Sequence, residues 1–501
     1  MRFVQFLFFR HALVLKSGQQ GGIRKERICM KVCLIVEGAY PYVNGGVSSW
    51  MQGLMLAMPD VEFVVQSIAA SPDANLQFKY QIPSNVSEIQ EVYLLDDDYV
   101  NNKTQKKVAL TGEEYDAFEN LMFESNPDWD VIIRFFSEKE VSLNALLSGK
   151  DFFKMTLDYY NANFRRVAFS DFLWTMRSLY LPLFTILKSR TEKADLYHSV
   201  SSGYAGIWGC MQKSLYKRPF LMTEHGLYTR EREEEIIKAD WVSGIYKDIW
   251  IGQFKKIGEC CYQYADKVVS LFEDARRFQI ELGCDENKTM VIPNGVNYQK
   301  FEGIRQKENQ DPYINVGAVL RVTPIKDVKT MISAFALAKN KEPRLKLWIM
   351  GSMEEAEDYA EECRAMVRDM DIKDVEFTGI IDVKEYIGRM DFLILTSISE
   401  GQPLSILEGF AARKPYIATN VGNCKGLIEG ERDNYGPAGY VVPVMGVSEI
   451  ARAILKLAED EKTRKRMGQA GYQRAVKAYD ESAVFGTYYN LYQKLTGSGE
   501  V

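Results

Sequence analysis

Short apolar runs alternate along this chain with longer stretches of helical periodicity, and that alternation commits it to parallel sheets. Parallel neighbours need a crossover connection, and a helix is the usual one. In the first half the strand runs lie at 31–36, 62–67, 91–95, 196–199, 219–223 and 267–271. In the second they lie at 313–320, 344–350, 375–378, 391–396 and 415–418. At 501 residues the chain exceeds what a single core accommodates. Two doubly wound α/β halves are therefore expected, divided near residues 294–308. A closing stretch at 481–495 carries an apolar stripe of helical period.

Composition removes several function classes. The hydrophobic share of 46% and charged share of 26% are those of an ordinary globular protein. A formal charge of −6 gives no basic face for nucleic acid. Eight cysteines are scattered without a C-x2-C pair, which favours neither disulfides nor a zinc site. Three histidines are too few for histidine-rich metal chemistry. No apolar run reaches the length of a membrane span. The opening stretch from Met1 to Arg10 is apolar but short, and a polar run follows it. Residues 1–29 read as an upstream start-site extension or a disordered tail, with Met30 directly before the first strand.

Three strand-to-helix junctions carry candidate chemistry. After the run at 391–396, Glu400 and Glu408 bracket a turn and the start of a helix. This order sets the free N–H groups near Leu404 and Ser405 at the carboxyl edge of a parallel sheet, where α/β folds bind anions. Carboxylates suit sugar and ribose hydroxyls, because an ionised acid accepts from two vicinal O–H groups. The plain alternative is a loop charge and an ordinary helix residue. After the first strand, the paired glycines Gly45 and Gly46 open a helical pattern; a turn is the plain reading, and close ligand approach the sharper one. After the run at 313–320 come Arg321 and Lys326, a fork of donors and a compact charge of the kind a pyrophosphate leaving group needs. Solvated surface charge is their plain reading.

Taken together, these junctions resemble the retaining GT-B glycosyltransferases of family four, whose E-x7-E spacing is held here by Glu400 and Glu408. Supporting matches are Gly45-Gly46, Arg321 with Lys326, and the segment from Ile292 to Asn297. The resemblance implies a GT-B fold of two Rossmann-like domains facing across a cleft. Residues 30–296 would form the acceptor-side domain, 297–479 the nucleotide-sugar domain, and 480–501 a helix returning to the first. It also implies a nucleotide-sugar donor, UDP-linked by preference, with no metal or other cofactor. Arg321, Lys326, Gln402, Leu404 and Ser405 would bind the donor along with Gly45 and Gly46. Glu408 would hold the ribose and Glu400 the donor sugar. His225, which follows the strand run at 219–223, would hydrogen-bond the sugar; a structural histidine is the plain alternative. The segments 37–50 and 224–232 resemble the branch of the family that serves Pel exopolysaccharide synthesis. That likeness implies a cytoplasmic protein with a polysaccharide acceptor and a membrane-embedded Pel synthase/export complex as partner.

The D-x-D spacing of metal-dependent transferases occurs at Asp96–Asp98, Asp128–Asp130 and Asp369–Asp371, and all three read as solvated charge. Roughly 180 residues separate the glycine turn from His225, more than such a first domain needs. This surplus includes ten aromatics between 151 and 185. They read as a helical elaboration burying its own aromatic face, or as a docking surface for a membrane-embedded partner. A nucleotide-sugar 2-epimerase of the same architecture and a non-catalytic nucleotide-sugar sensor are the competing functions.

Overall fold

The computed structural model describes residues 30–70, 77–94, 108–123, 126–307, 311–431 and 433–498. The chain divides into two compact units. One takes the residues up to 270 with 276–290 and those from 489 onward; the other takes 271–275 and 291–488. The 1–29 extension and the Asp96–Asp98 pair lie outside the described residues.

The first unit is built on a seven-stranded sheet in the order β3-β2-β1-β4-β5-β6-β7. Its strands are β1 (Met30–Glu37), β2 (Val61–Ala69), β3 (Val86–Tyr93), β4 (Leu196–Ser199), β5 (Phe220–Glu224), β6 (Lys267–Ser270) and β7 (Thr289–Val291). Residues 32–36 of β1 are all buried, on both faces of the strand, as expected of a parallel strand covered by helices above and below. β3 starts five residues before the expected position. It is an edge strand in which Ser87 and Glu91 are exposed and Gln90 alone is buried, so its apolar content is diluted. The same dilution hides β7.

The second unit holds a six-stranded sheet in the order β10-β9-β8-β11-β12-β13, with every pairing parallel. Its strands are β8 (Ile314–Val319), β9 (Leu345–Met350), β10 (Val375–Gly379), β11 (Phe392–Leu395), β12 (Tyr416–Thr419) and β13 (Gly439–Val442). β13, a short edge strand, is the one the apolar pattern does not announce. In both sheets the chain order reverses direction at one gap: β1 against β4, and β8 against β11. At such a switch point the loops leaving the carboxyl ends of the two strands diverge and leave a ligand crevice.

The surplus in the first unit folds into helices between β3 and β4, chiefly Gly112–Phe123, Trp129–Glu138, Lys150–Asn163 and Phe169–Leu187. Phe118, Phe135, Phe152, Phe172, Tyr180 and Phe184 are buried, and their rings meet edge-on, as at Phe118–Phe184 (5.6 Å) and Phe118–Phe135 (5.1 Å). The elaboration thus buries its own aromatic face, although Trp174 and Phe153 remain exposed. Asp128 is the cap of one of these helices, accepting from the Val131 amide at 3.1 Å. Its D-x-D spacing is therefore helix-capping chemistry. The closing helix, Glu481–Thr496, contributes Tyr489 and Tyr492 to the first unit, bonded to Asp60 (2.5 Å) and His198 (2.6 Å).

Candidate active site

In the second unit the switch point brings two predicted residues together. β8 runs out through Leu320 and Arg321 into a short turn, Pro324–Lys326; β11 runs out through Thr396 and Ser397 toward Glu400. Lys326 Nζ donates to Glu400 Oε1 at 2.5 Å, and Ser397 Oγ donates to the same oxygen at 2.5 Å. The Thr396 hydroxyl donates to the carbonyls of Lys326 and Asp327, both at 3.0 Å, so the two loops are stitched side by side. Asp327 has a left-handed backbone (φ 46°) and caps the helix Val328–Lys339 through Thr330 N. Directly after Glu400, the helix Leu404–Ala411 begins, and Pro403 at its cap offers no side-chain bond to the first amides. A cation, a carboxylate and a free helix N-terminus therefore share one corner of the sheet.

Two features hold the 400–403 turn. Gly422 has φ +50°, and a Cβ there would lie 2.1 Å from the Glu400 carbonyl oxygen and 2.3 Å from that of Gly401. Only glycine allows the 421–423 loop to lie this close. The Asn423 amide then donates to the Gly401 carbonyl at 2.8 Å. On the other side, Gln402 is engaged with the 292–297 segment. Its Oε1 accepts from Asn294 N (2.6 Å) and its carbonyl from Asn294 Nδ2 (3.1 Å). Gln402 thus pins the turn to the 292–297 segment and keeps its Nε2 group without a partner.

Arg321 does not share a partner with Lys326. Its guanidinium is ion-paired with the exposed Glu355, which sits in the short turn Glu354–Ala356 after β9. Tyr416, buried on β12, keeps its hydroxyl without a hydrogen-bond partner, and burial raises its pKa. Glu408 lies half-buried on the same helix, with burial pushing its carboxyl up to about 7. Lys300 opposes that rise, and Glu481 adds to it. Glu481 reaches this place because Gly295 packs on its backbone; a Cβ on Gly295 would come within 2.5 Å of the Glu481 Cα.

In the first unit, His225 follows β5 at the carboxyl edge. Its ring meets Trp50, on the helix Gly46–Ala57, edge-on at 4.7 Å. His225 Nε2 is buried with no hydrogen-bond partner, and burial pulls the imidazole down to about 4. The ring is therefore neutral at physiological pH. His198 on β4 also meets Trp50 (5.9 Å) but is fully bonded, to Tyr492 and Thr223. Gly45 caps the Gly46–Ala57 helix in an extended conformation with open space where a Cβ would be. At the β1/β4 switch, Glu37 accepts from Tyr204 N (3.1 Å) and the Tyr228 hydroxyl (3.1 Å). Glu224 is buried and accepts from Ser202 (2.5 Å), Tyr262 (2.9 Å) and Gln279 (2.9 Å). Desolvation raises the pKa of both acids. Among the described residues no three His, Cys, Asp or Glu side chains gather into a metal-holding group.

Comparison with known proteins decides the family. Residues 30–287, half of the chain, match the model described as a domain of unknown function (DUF3492), and residues 300–474 match the one described as glycosyl transferases group 1. The chain belongs to the first family, and its second part matches the second. It is a glycosyltransferase of the GT-B type. It is 24% identical over 340 residues to the capsular polysaccharide biosynthesis glycosyltransferase CapM of Staphylococcus aureus, covering 64% of this chain and 84% of that protein. It is 25% identical over 303 residues to an Escherichia coli UDP-Gal:alpha-D-GlcNAc-diphosphoundecaprenol alpha-1,3-galactosyltransferase, covering 57% and 71%. Among solved structures, its fold matches sucrose-phosphate synthase from Thermosynechococcus elongatus (TM-score 0.61, 16% identity, 94% of this chain and 100% of that one). It also matches Anabaena HepE in complex with UDP-glucose (TM-score 0.59, 13% identity, 93% and 100%).

Within this GT-B glycosyltransferase, several groups at the switch points carried no role in the sequence reading. Glu37 stands at the end of β1 directly before the glycine turn, so its position was readable. Gly422 and Asn423 carry no motif at all. Lys300 and Glu481 are far from Glu408 in sequence and meet it only through the fold.

Proposed function

We propose that this glycosyltransferase moves a sugar, with retention of configuration, from a UDP-linked donor to a growing exopolysaccharide of Pel type, as PelF does. The observation that carries the reading is the Lys326–Glu400 contact beside the uncapped start of the Leu404–Ala411 helix. A lysine and free amides at one point suit a leaving diphosphate. In the reaction the bond between the sugar's anomeric carbon and the diphosphate oxygen breaks, while the acceptor hydroxyl oxygen bonds to the same face of that carbon. The hydroxyl proton passes to the leaving phosphate, so no enzyme nucleophile is needed. Charge grows on the diphosphate as the bond breaks. Lys326, Arg321 and the amides near Leu404 and Ser405 stabilise it there, and these side chains take the place of a metal.

Glu400 would exchange its present donors for sugar hydroxyls, and Glu408 would accept from the ribose. His225, neutral and with Nε2 free, suits a hydrogen bond to a sugar hydroxyl, and its lowered pKa makes it a weak general base. Gly45 and Gly46 leave room for a ligand at the helix start. The site of action would be cytoplasmic, at the inner face of the membrane through protein partners; among the described residues no helix is long and apolar enough to cross it. The test is incubation with UDP-glucose and UDP-N-acetylhexosamines followed by NMR. Slow release of the sugar, or its transfer to an oligosaccharide with the donor's anomeric configuration, supports the proposal. A changed sugar still bound to UDP would make the protein an epimerase, and inertness toward every nucleotide sugar would make it a sensor.

A further inference from the structure

The second unit carries a cavity that the transferase chemistry does not use. It has a volume of about 550 Å³ and lies at the amino half of the sheet, beside Lys346 and Trp348 of β9. Such a volume suits a small ligand. Lys346 and Trp348, two residues apart on one strand, point the same way. Asn315 lies opposite Lys346 in the β8–β9 register and accepts from Trp348 Nε1 at 2.9 Å.

Among the described residues, four cations (Arg305, Lys307, Lys346 and Arg389) and one acid, Asp311, line the hollow. Asp311 is occupied by Asn315 Nδ2 (2.7 Å) and Tyr313 N (3.0 Å). Lys307 is held by Asp391 at 2.7 Å. Lys346 has only a loose contact with Glu376 at 3.8 Å. Arg389 packs on rings, with its guanidinium 5.3 Å from the Trp348 ring centre and 5.4 Å from that of Tyr386, and its charge helps to lower the Asp311 carboxyl. Its N–H donors meet no acceptor among the described residues. Two under-used cations in a concave site, one a planar fork and one a point charge, form a receptor for phosphate oxygens.

We propose that this cavity binds a small polyphosphate anion, at a second site separate from the donor corner. The Trp348 ring is already covered by Lys346, 4.1 Å from its centre, and by Arg389, so phosphate and not a stacked base is what the site recognises. Asn315 is the second residue of β8 and Lys326 lies past its far end, and the four steps from Asn315 to Val319 alone span about 13 Å at roughly 3.3 Å each. One diphosphate cannot bridge both sites.

Tripolyphosphate is titrated calorimetrically into the full chain at constant ionic strength, with and without saturating UDP. The proposal expects one tripolyphosphate bound per chain in the presence of UDP, and binding that survives Lys326→Ala. Arg389→Ala and Lys346→Gln should each weaken it at least tenfold while leaving UDP affinity and melting temperature unchanged; Arg389→Lys should retain part of it. If Arg389→Ala fails to melt cooperatively, Lys346→Gln gives the same reading. Loss of all tripolyphosphate binding on adding UDP, equal affinity in the cavity variants, or an effect reproduced by sodium chloride at the same ionic strength would each overturn it.

Discussion

Replacing Glu408 by glutamine should make this protein more stable and a poorer binder of nucleotide, and both effects should depend on pH. Burial raises the Glu408 carboxyl from 4.5 to about 7. At about 1.4 kcal/mol per pH unit, that interval corresponds to about 3 kcal/mol. Because the side chain is half-buried, solvent screening reduces the expected figure to roughly 1–2 kcal/mol. The sign follows from linkage: a carboxyl with a raised folded pKa binds more protons folded than unfolded between pH 4.5 and 7. Stability therefore falls as pH rises through that window, and above it the folded state bears the full cost of the charge. Glutamine keeps the shape without the charge. Glu408→Gln should thus melt with wild type near pH 4.5 and above it near pH 8, by about 2–8 °C for a domain of this size. If the ribose favours the ionised carboxylate, UDP affinity in the wild type should rise with pH through 7, and binding at pH 6.5 should release a proton. Calorimetry in two buffers of different ionisation enthalpy detects that proton. A melting difference that does not change between pH 4.5 and 8, or UDP binding without proton release, would refute the buried, ribose-facing carboxylate.

Three further outcomes follow from the same geometry. Lys326→Ala should cost about 2–4 kcal/mol of transition-state stabilisation, the scale of one preorganised donor, read as a fall in kcat/KM, and EDTA should leave wild-type activity intact. His225→Asn should lower kcat, while the wild-type rate shows no inflection from this histidine between pH 5.5 and 8, because it is already neutral there. Gly422→Ala should cost roughly 1–3 kcal/mol in chemical denaturation, since the left-handed backbone and the Glu400 carbonyl both reject a Cβ.

The buried strands were legible because parallel sheets need continuous apolar runs; 196–199 matches β4 residue for residue, and β1 and β9 lie within a residue of their expected ends. Of the edge strands, β10 was legible, but β3 was placed late and β7 and β13 were missed, because one face or one side of these is spared burial and the apolar signal thins. At the site, spacing predicted that Glu400 and Lys326 would stand at strand ends, yet not that they touch. That contact depends on β8 and β11 being neighbours, which no local pattern encodes. The bonds of Gln402 to Asn294 were not legible for a related reason: the two are remote in sequence. The same remoteness hid Glu481 and Lys300, which bias the charge state of Glu408 from a helix and a loop outside the motif. The aromatic insertion was readable as self-burying because its rings recur at helical spacing.

On the proposed function, Glu400 faces the sugar whose bond breaks while Glu408 grips the nucleotide. Steady-state rates with the sugar donor and calorimetry with UDP alone, on Glu400→Gln and Glu408→Gln at pH 8, separate the two roles. Glu400→Gln should lower kcat and bind UDP nearly as before. Glu408→Gln should raise KM and weaken UDP, with kcat less affected, because uniform binding is lost. Equal loss of UDP affinity in both variants would contradict the account.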